Sequence, residues 1–448
     1  MKKAWRWPLA GFVLGSLVGA TFLTVNVVGA SGPEPSRASP ASFGEILHTP
    51  PLLARAGEPV DLHYDVVCGR AKDEPGGACA PTGSVFVRAA GASDFVEQPL
   101  EREPDGRLSA EVSAGTGGFD YYAELDNGRG QMATLPEAAA DAPQHVWPLG
   151  ARTTVDLGSE QFGETRSPSS IVASLGWGKG AHAVGLDSGR EQSRIGPSAF
   201  DVAPHGSIVV LDQVNRRLVS LRRGEASAEA SIAFTGGEGD LAVGGDGAIY
   251  VLDAGRSHPV VRSFSPRGEP IASTPLAEAT ADMLRVGPSG PLVHAYPSEM
   301  WLPTGENRPP LTPGQQLTAA QVARSIDGGE AVVVSASLAE ARFALIRGDY
   351  VVRSWLVRSS TNLGEVQLAE PYGDGLLVVI RLWNEQQAEF RLLHLTPDGV
   401  AASFAVDRAE WAEAASLSRF RLHGSTLYQL RSSPSGIEIA AFQIGGVK

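Results

Sequence analysis

Three aspartates occupy comparable places in the second half of this 448-residue chain. Asp201, Asp240 and Asp282 lie at or just before the start of short apolar segments, each followed by a turn that contains glycine. Carboxylate oxygens are hard ligands of the kind that calcium takes in proteins. If the segments surround a common axis, the three carboxylates would converge on a divalent ion. If strand alternation turns them outward, they would face solvent instead, and the sequence leaves both arrangements open.

Other patterns that support catalysis are missing from the sequence. The nine histidines are scattered, without the H-x-H or H-E-x-x-H spacing that suits zinc. No G-x-S-x-G elbow, P-loop or dinucleotide-binding fingerprint occurs. The residues therefore identify no catalytic, cofactor-binding or metal-binding set, and calcium at the aspartates is the one cofactor alternative.

A second polar cluster follows one of the apolar segments. In "VAPHGSIVVLDQVNRRLVSL", residues 202–221, an Asp-x-x-Asn-x-Arg run joins two predicted strands around a tight turn. A carboxylate at the end of a strand can accept hydrogen bonds from loop amides and from an arginine on the next strand. We therefore predict that Asp212, Asn215 and Arg217 hold a hairpin together. The alternative is a surface site for anionic or peptide ligands.

Turn glycines recur along residues 151–448. Six follow one apolar segment and precede another, with spacings of 39 to 49 residues: Gly206, Gly247, Gly290, Gly329, Gly375 and Gly424. A second series lags the first: Gly224, Gly268, Gly305, Gly348 and Gly399. Two series with a period near 42 residues predict a six-bladed β-propeller of four-stranded blades. We expect the first series between blade strands two and three, and the second series after strand four.

Ring closure needs a strand from upstream of Gly206. The candidates are "SPSSIVASLGWG" at 167–178 and "ARTTVDLG" at 151–158. A strand from the far end of the chain would leave only short, protected sheet edges.

The segment around residues 196–221, "GPSAFDVAPHGSIVVLDQVNRRLVSL", resembles an NHL repeat, and the propeller as a whole is similar to NHL and TolB-like propellers. The next unit keeps Asp253 and Arg262 and loses the asparagine. The resemblance implies a structural role for Asp212, Asn215, Arg217, Gly206 and Gly247. Because propellers of the gluconolactonase and paraoxonase type are calcium-dependent, it also implies the alternative of a metal-dependent hydrolase or lyase with an ion in the central tunnel.

The first half of the chain predicts a smaller all-β unit. Between a linker at 31–49 and another at 138–150, residues 50–137 contain five short alternating segments: "PVDLHYDVV", "SVFVRAA", "RLSAEVSA", "FDYYAEL" and "QMATLP". Such segments predict an immunoglobulin-like or fibronectin-like β-sandwich. Cys68 and Cys79 enclose a polar, glycine-rich loop, which predicts a local disulfide in an oxidising compartment.

The N-terminal sequence predicts that the protein is located outside the cytoplasm. Lys2, Lys3 and Arg6 precede an apolar run that ends in Val28-Gly29-Ala30. Residues 1–30 fit a secretory signal cleaved after Ala30 or a single uncleaved membrane anchor, since the uncharged run from Pro8 to Ala30 has 23 residues, enough to span a bilayer. The net charge of −13 argues against nucleic-acid binding. We therefore expect a non-catalytic extracytoplasmic protein whose propeller binds a protein or an envelope polysaccharide.

Overall fold

The computed structural model describes residues 23–26, 45–48, 50–51, 53–67, 80–128, 130–136, 138–141, 143–149, 152–189, 193–222, 225–232, 239–254, 259–276, 281–287, 290–295, 300–304, 330–347, 350–412 and 418–445. Within these residues the regular structure is almost entirely β-strand, with a short 3₁₀ turn at Ala139–Asp141. No helix among them is long and apolar enough to span a membrane.

Eleven strands make up the N-terminal part. They are β1 (Leu23–Asn26), β2 (Glu45–His48), β3 (Leu53–Arg55), β4 (Pro59–Val67), β5 (Thr82–Ala89), β6 (Val96–Pro99), β7 (Glu101–Arg102), β8 (Leu108–Ser113), β9 (Phe119–Asp126), β10 (Met132–Leu135) and β11 (Gln144–Leu149). One sheet has the order β1-β2-β4-β8-β7. The other has the order β3-β11-β9-β5-β6, with β10 also paired to β9.

Both N-terminal sheets contribute to one apolar core. Strand β9 alternates buried and half-buried residues along its whole length, so Tyr121 is fully buried while Tyr122 stays partly exposed. Tyr64 on β4, in the other sheet, belongs to the same buried cluster. All five segments predicted as strands in this half of the chain form strands.

The two predicted linkers contain strands. Glu45–His48, near the end of the 31–49 linker, pairs with β4 and places Ile46 in the core. Gln144–Leu149, inside the 138–150 linker, is a central strand that buries Trp147. These positions form strands because burial of a few apolar side chains outweighs a composition rich in Pro, Ser and Ala, and the domain boundaries remain predictions. Cys68, Cys79 and most of residues 1–44 lie outside the described residues.

Twenty-four further strands follow. They are β12 (Arg152–Asp156), β13 (Ser170–Trp177), β14 (Ala183–Val184), β15 (Ala199–Val202), β16 (Ile208–Asp212), β17 (Arg217–Arg222), β18 (Glu225–Ser231), β19 (Gly239–Val243), β20 (Ile249–Asp253), β21 (Val260–Phe264), β22 (Pro270–Pro275), β23 (Ala281–Gly287), β24 (Gly290–Ala295), β25 (Met300–Pro303), β26 (Glu330–Ala336), β27 (Glu340–Arg347), β28 (Tyr350–Arg358), β29 (Asn362–Tyr372), β30 (Gly375–Trp383), β31 (Ala388–Thr396), β32 (Gly399–Val406), β33 (Phe420–His423), β34 (Thr426–Ser433) and β35 (Gly436–Gln443).

These strands form six antiparallel meanders, which we call blades 1 to 6: β15–β18, β19–β22, β23–β25, β26–β28, β29–β32 and β33–β35. Apolar clusters join blade 6 to blade 1, blade 1 to blade 2, blade 2 to blade 3, blade 4 to blade 5 and blade 5 to blade 6. Strands β15, β19 and β23 lie side by side, and β33 contacts both β29 and β15. The arrangement is that of a β-propeller.

Burial follows position within a blade. The first two strands of blade 1, β15 and β16, are buried at every residue, because neighbouring blades cover both faces. The fourth strand of blade 2, β22, is almost wholly exposed. Strands β15, β19, β23, β29 and β33 therefore surround the axis, and their side chains are the ones that can meet there.

The two candidate closing segments occupy different blades. Ser170–Trp177 pairs antiparallel with β35 and so adds an upstream strand to the last blade. Arg152–Asp156 instead pairs in parallel with β28, on the outer side of blade 4. The upstream strand β13 thus belongs to the last blade, while β12 pairs with blade 4 and follows the N-terminal strands directly in the chain.

The predicted glycine register is shifted by one strand. Gly206 lies between the first and second strands of blade 1, and Gly247 holds the same place in blade 2. Both have positive φ, 79° and 84°, which a residue with a Cβ adopts only with strain. In the second series, Gly268 and Gly399 connect third strands to fourth strands. The prediction failed by one strand because the connections between blades carry no glycine signal of their own.

Candidate functional site

Asp212 is the centre of a hairpin network in blade 1. Its side chain is fully buried at the end of β16. The carboxylate accepts hydrogen bonds from the Asn215 backbone N–H (3.2 Å), the Asn215 side-chain amide (2.8 Å) and Arg217 Nε (3.0 Å). A fourth bond comes from the backbone N–H of Gly185 at 3.0 Å. Every acceptor direction on this buried carboxylate is therefore in use.

The same network fastens the segment before blade 1 to its third strand. The guanidinium of Arg217 donates to the carbonyls of Lys179 (3.0 Å), Gly180 (2.9 Å) and Ala183 (2.6 Å). The Asn215 amide donates to the Gly178 carbonyl at 2.8 Å. The arrangement uses up the polar atoms of Arg217 internally, leaving few of them for a ligand.

Blade 2 repeats part of this arrangement. Asp253 is fully buried at the end of β20, and Arg262 on β21 lies 3.6 Å from it. The longer pair distance accompanies the loss of the asparagine in this unit. The network is thus tighter in blade 1 than in blade 2.

Asp201 and Asp240 link successive first strands around the axis. Asp201 accepts the N–H of its neighbour Val202 at 2.7 Å and that of Val243 in blade 2 at 2.8 Å. Asp240 accepts the N–H of Leu241 at 2.8 Å and that of Leu284 in blade 3 at 2.8 Å. Both carboxylates are buried, so each ties one blade to the next by a charge-assisted bond.

Two arginines neutralise these carboxylates. Arg285 Nη1 lies 3.1 Å from Asp240. Arg421, on the first strand of blade 6, lies 3.3 Å from Asp240 and 3.7 Å from Asp201. Ser418 also donates to Asp240. We call Asp201, Asp240, Arg285 and Arg421 the axial charge network. Its members are buried and of opposite sign, so it connects blades 1, 2, 3 and 6 without leaving a net charge.

Asp282, the third predicted carboxylate, does not belong to the axial charge network. The side chain of Asp282 is 56% exposed, and its partner is His294, whose Nδ1 lies 2.6 Å from Asp282 Oδ1. The structure therefore brings Asp201 and Asp240 together through Arg421 and leaves Asp282 out. No group of three or more His, Cys, Asp or Glu side chains suitable for a metal occurs among the described residues.

Sequence reasoning missed Arg285 and Arg421. The available signal was an arginine between apolar residues in a first strand, in "MLRV" and "FRL". A charge in a strand that is buried on both faces requires a countercharge. The sequence therefore indicates that the two acidic and two basic residues in these strands form ion pairs. It does not indicate which acid pairs with which base.

A pocket opens directly beyond this network. It has a volume of about 550 Å³ and is lined by Val202, Pro204, Val243, Gly244, Gly245, Asp246, Tyr250, Val286, Gly287, Gly290, Glu370, Leu422, His423 and Gly424. Val202, Val286 and Leu422 each follow a member of the axial charge network by one residue. The pocket is therefore the mouth of the propeller axis, on the face formed by the turns between first and second strands. We call it the mouth pocket.

The lining of the mouth pocket offers several kinds of contact. Asp246, Glu370 and His423 supply polar side chains, and Tyr250 supplies an aromatic ring. Five lining residues are glycines, so backbone groups are uncovered there. Asp246 also accepts the N–H of Ala248 at 3.0 Å, which orders its turn. The set suits recognition of a polar ligand, and the described lining residues include no cysteine, serine or lysine that could act as a nucleophile.

Comparisons with known proteins identify no family. No protein-family model matches the chain, and no curated protein matches it. Solved structures similar to it include virginiamycin B lyase from Staphylococcus aureus, with 8% identity over 55% of this chain and 95% of that chain, at a TM-score of 0.36. A structural genomics protein from Bacteroides thetaiotaomicron has 10% identity over 91% and 99% of the two chains, at 0.37.

A third similar structure is a putative 6-phosphogluconolactonase from Bacteroides uniformis, with 10% identity over 80% and 92% of the two chains and a TM-score of 0.36. Scores this low give no basis for transferring a site or an activity. The propeller assignment rests on the strand pairing and blade packing described above.

Proposed function

We propose that this protein is a non-catalytic binding protein that holds a polar ligand in the mouth pocket of its propeller. The observation that supports this most is the state of the axial carboxylates. Asp201 and Asp240 each accept two backbone N–H groups and lie beside arginines. Carboxylates committed in this way stabilise the ring, and the open space beyond them is left for binding.

The metal-dependent alternative has less support. A calcium site needs six to eight oxygen ligands that can turn toward the ion. Here the two carboxylates nearest the axis would have to release Val243 and Leu284 and displace Arg421. Breaking one buried ion pair of this kind costs about 3–5 kcal/mol before any metal is bound. Asp282, the third candidate ligand, points to His294.

The ligand class follows from the pocket lining. Hydroxyl-rich sugars and peptide segments are held by carboxylates, imidazoles and backbone groups, together with the face of an aromatic ring. The mouth pocket offers these through Asp246, His423, its glycines and Tyr250. We therefore assign the pocket to an envelope polysaccharide or to a loop of a partner protein.

We place this function outside the cytoplasm, on the basis of the basic start and the apolar run of residues 1–30. The N-terminal sheets would then form an immunoglobulin-like unit that holds the propeller away from the membrane. Cleavage after Ala30 would remove Leu23–Asn26, which pairs with Glu45–His48. Sequencing the N-terminus of the mature protein distinguishes a cleaved signal from an anchor.

The test is titration of the whole protein with fragments of envelope polysaccharide, followed by calorimetry. We expect saturable binding that weakens at least about tenfold in Tyr250→Ala and His423→Ala, as for loss of one well-placed contact. The matched control is His63→Ala, because His63 is exposed on β4, far along the chain from the propeller. Equal binding by all four proteins would place the ligand elsewhere.

A further inference from the structure

Four arginines gather where the N-terminal sheets meet the propeller. Strand β11 pairs in parallel with β3, with Leu149 opposite Arg55. Three residues later, Arg152 begins β12 and lies opposite Ser354 on blade 4. Arg342 of blade 4 reaches Glu58 of the N-terminal part at 3.4 Å. We call Arg55, Arg152, Arg342 and Arg358 the junction arginines.

Only one junction arginine is well paired. Arg342 donates to Glu340 through Nε at 3.0 Å and Nη2 at 2.8 Å, in addition to its contact with Glu58. Arg358 lies 3.8 Å from Glu340, and its side chain is 51% exposed. Glu340 is thus shared between two guanidinium groups and cannot saturate both.

The other two junction arginines, Arg152 and Arg55, are less fully paired. Arg152 is exposed and has no ion pair with any residue that the structure describes. The Nε of Arg55 is buried and lacks a hydrogen-bond partner within the described chain. A buried donor left without an acceptor costs roughly 1–3 kcal/mol. This atom is too buried for a ligand to reach, so Arg55 contributes positive charge to the site and not a contact through Nε.

Nearby acids do not compensate for this. Glu58 also accepts the backbone N–H of Arg55 at 2.9 Å. Asp156 lies opposite Arg358 in the β12–β28 register, and its Oδ1 accepts the N–H of Gly158 at 2.9 Å. Desolvation and then the like charges of Arg55, Arg358 and Arg342 lower the pKa of Arg152. Arg152 therefore sits in a locally positive field on a protein whose net charge is −13.

The spacing of the open arginines favours an extended anion. Arg152 and Arg358 lie at opposite ends of the pairing between β12 and β28, four residues apart in register. At about 3.3 Å per residue this separates them by roughly 13 Å along the sheet. Their positions differ by an even number of residues in register, so both side chains leave the sheet on the same side. A chain that carries several acidic groups can pair one group with each of these guanidinium groups.

We propose that the junction arginines bind the carboxylate or sulfate groups of an acidic polysaccharide. Guanidinium groups recognise such oxyanions through paired, charge-assisted hydrogen bonds. The site lies between β3 and blade 4, so occupation would also hold the N-terminal sheets against the propeller. The proposal does not depend on the mouth pocket, and its test uses none of that pocket's residues.

The test is calorimetric titration of the whole protein, at constant low ionic strength, with three probes: polygalacturonate, uncharged dextran and inorganic sulfate. We expect polygalacturonate to bind and dextran not to bind. The double variant Arg152→Gln/Arg358→Gln should lose affinity for polygalacturonate by at least about tenfold, the equivalent of one charge-assisted bond. Both side chains are exposed, so the variant should fold with an unchanged melting temperature.

The matched control is Arg267→Gln, which removes one positive charge from an exposed turn of blade 2. Its affinity should equal that of the wild-type protein. Absence of polygalacturonate binding, or equal affinity in the double variant, would overturn the proposal. Binding of sulfate alone would overturn the polysaccharide assignment, since it would show a small-anion site.

Discussion

The carboxylate of Asp240 accepts the backbone N–H of Leu284, 44 residues further along the chain, at 2.8 Å. The equivalent bond one blade earlier joins Asp201 to Val243, 42 residues away, at the same distance. Each bond spans one repeat of the propeller. A buried carboxylate is therefore used here as a link between blades, and Arg421 of the last blade contacts both links.

Removing the charge of Asp240 should destabilise the propeller. In Asp240→Asn the shape is kept, but Arg285 and Arg421 lose a buried countercharge. We expect the free energy of unfolding to fall by about 3–5 kcal/mol. Urea denaturation followed by tryptophan fluorescence measures the change. Asp407→Asn is the control, because that side chain is 63% exposed and should alter stability by less than about 0.5 kcal/mol.

Truncating Asp212 should loosen the first blade. Asp212→Ala removes the acceptor for Gly185, Asn215 and Arg217, and leaves those donors to be satisfied in a buried site. We expect a loss of about 3 kcal/mol or more in the same assay. Asp374→Ala in an exposed turn of blade 5 should be nearly neutral. Equal effects of the two changes would contradict the structural role proposed for Asp212.

His48 should make stability depend on pH. It is buried, its Nδ1–H donates to the His63 carbonyl at 2.7 Å, and its Nε2 accepts the Tyr121 hydroxyl proton at 2.9 Å. Desolvation lowers the pKa of His48 from 6.5 to about 4. The unfolded chain therefore takes up the proton first, so the stabilisation is complete above about pH 6.5 and is lost as the pH falls toward 4.

The contribution of His48 to the pH dependence of stability can be measured by comparing the wild-type protein with a variant that lacks the imidazole. A shift of this extent corresponds to about 3 kcal/mol between the two ends of the pH range. Denaturation of the wild-type protein and of His48→Phe between these pH values should show a steeper acid loss in the wild type. His182→Gln, a change to an exposed histidine in a turn before blade 1, should keep the wild-type slope. Parallel curves for wild type and His48→Phe would show that His48 is not the group responsible.

Calcium should leave the melting temperature unchanged. An ion bound only to the folded protein, at a hundred times its dissociation constant, would add about 2.7 kcal/mol. We expect no such gain because Asp201 and Asp240 are already committed to backbone amides and arginines. Thermal melts with EDTA, and then with calcium restored, make the measurement. A reversible rise on adding calcium would favour the metal-dependent alternative.

Local features of this protein could be predicted from the sequence because they depend on neighbouring residues. Gly206 and Gly247 mark turns that need positive φ. The Asp212–Arg217 contact spans only five residues and lies across one hairpin register. Alternating apolar segments become strands wherever one face is buried, as in β9. In each case the interacting residues lie within a few positions of one another in the sequence, so the local sequence pattern is enough to predict the feature.

Only the tertiary structure shows which side chains come together at the propeller axis and between the N-terminal sheets and blade 4. The glycine period indicated repeated units, yet the assignment of strands within a blade shifted by one, since turns do not say which strand is innermost. The parallel pairing of Arg152 with Ser354 joins positions about 200 residues apart and has no local signal. Arg285 and Arg421 reach Asp240 only because blade packing brings distant first strands together, and that packing is a property of the whole ring.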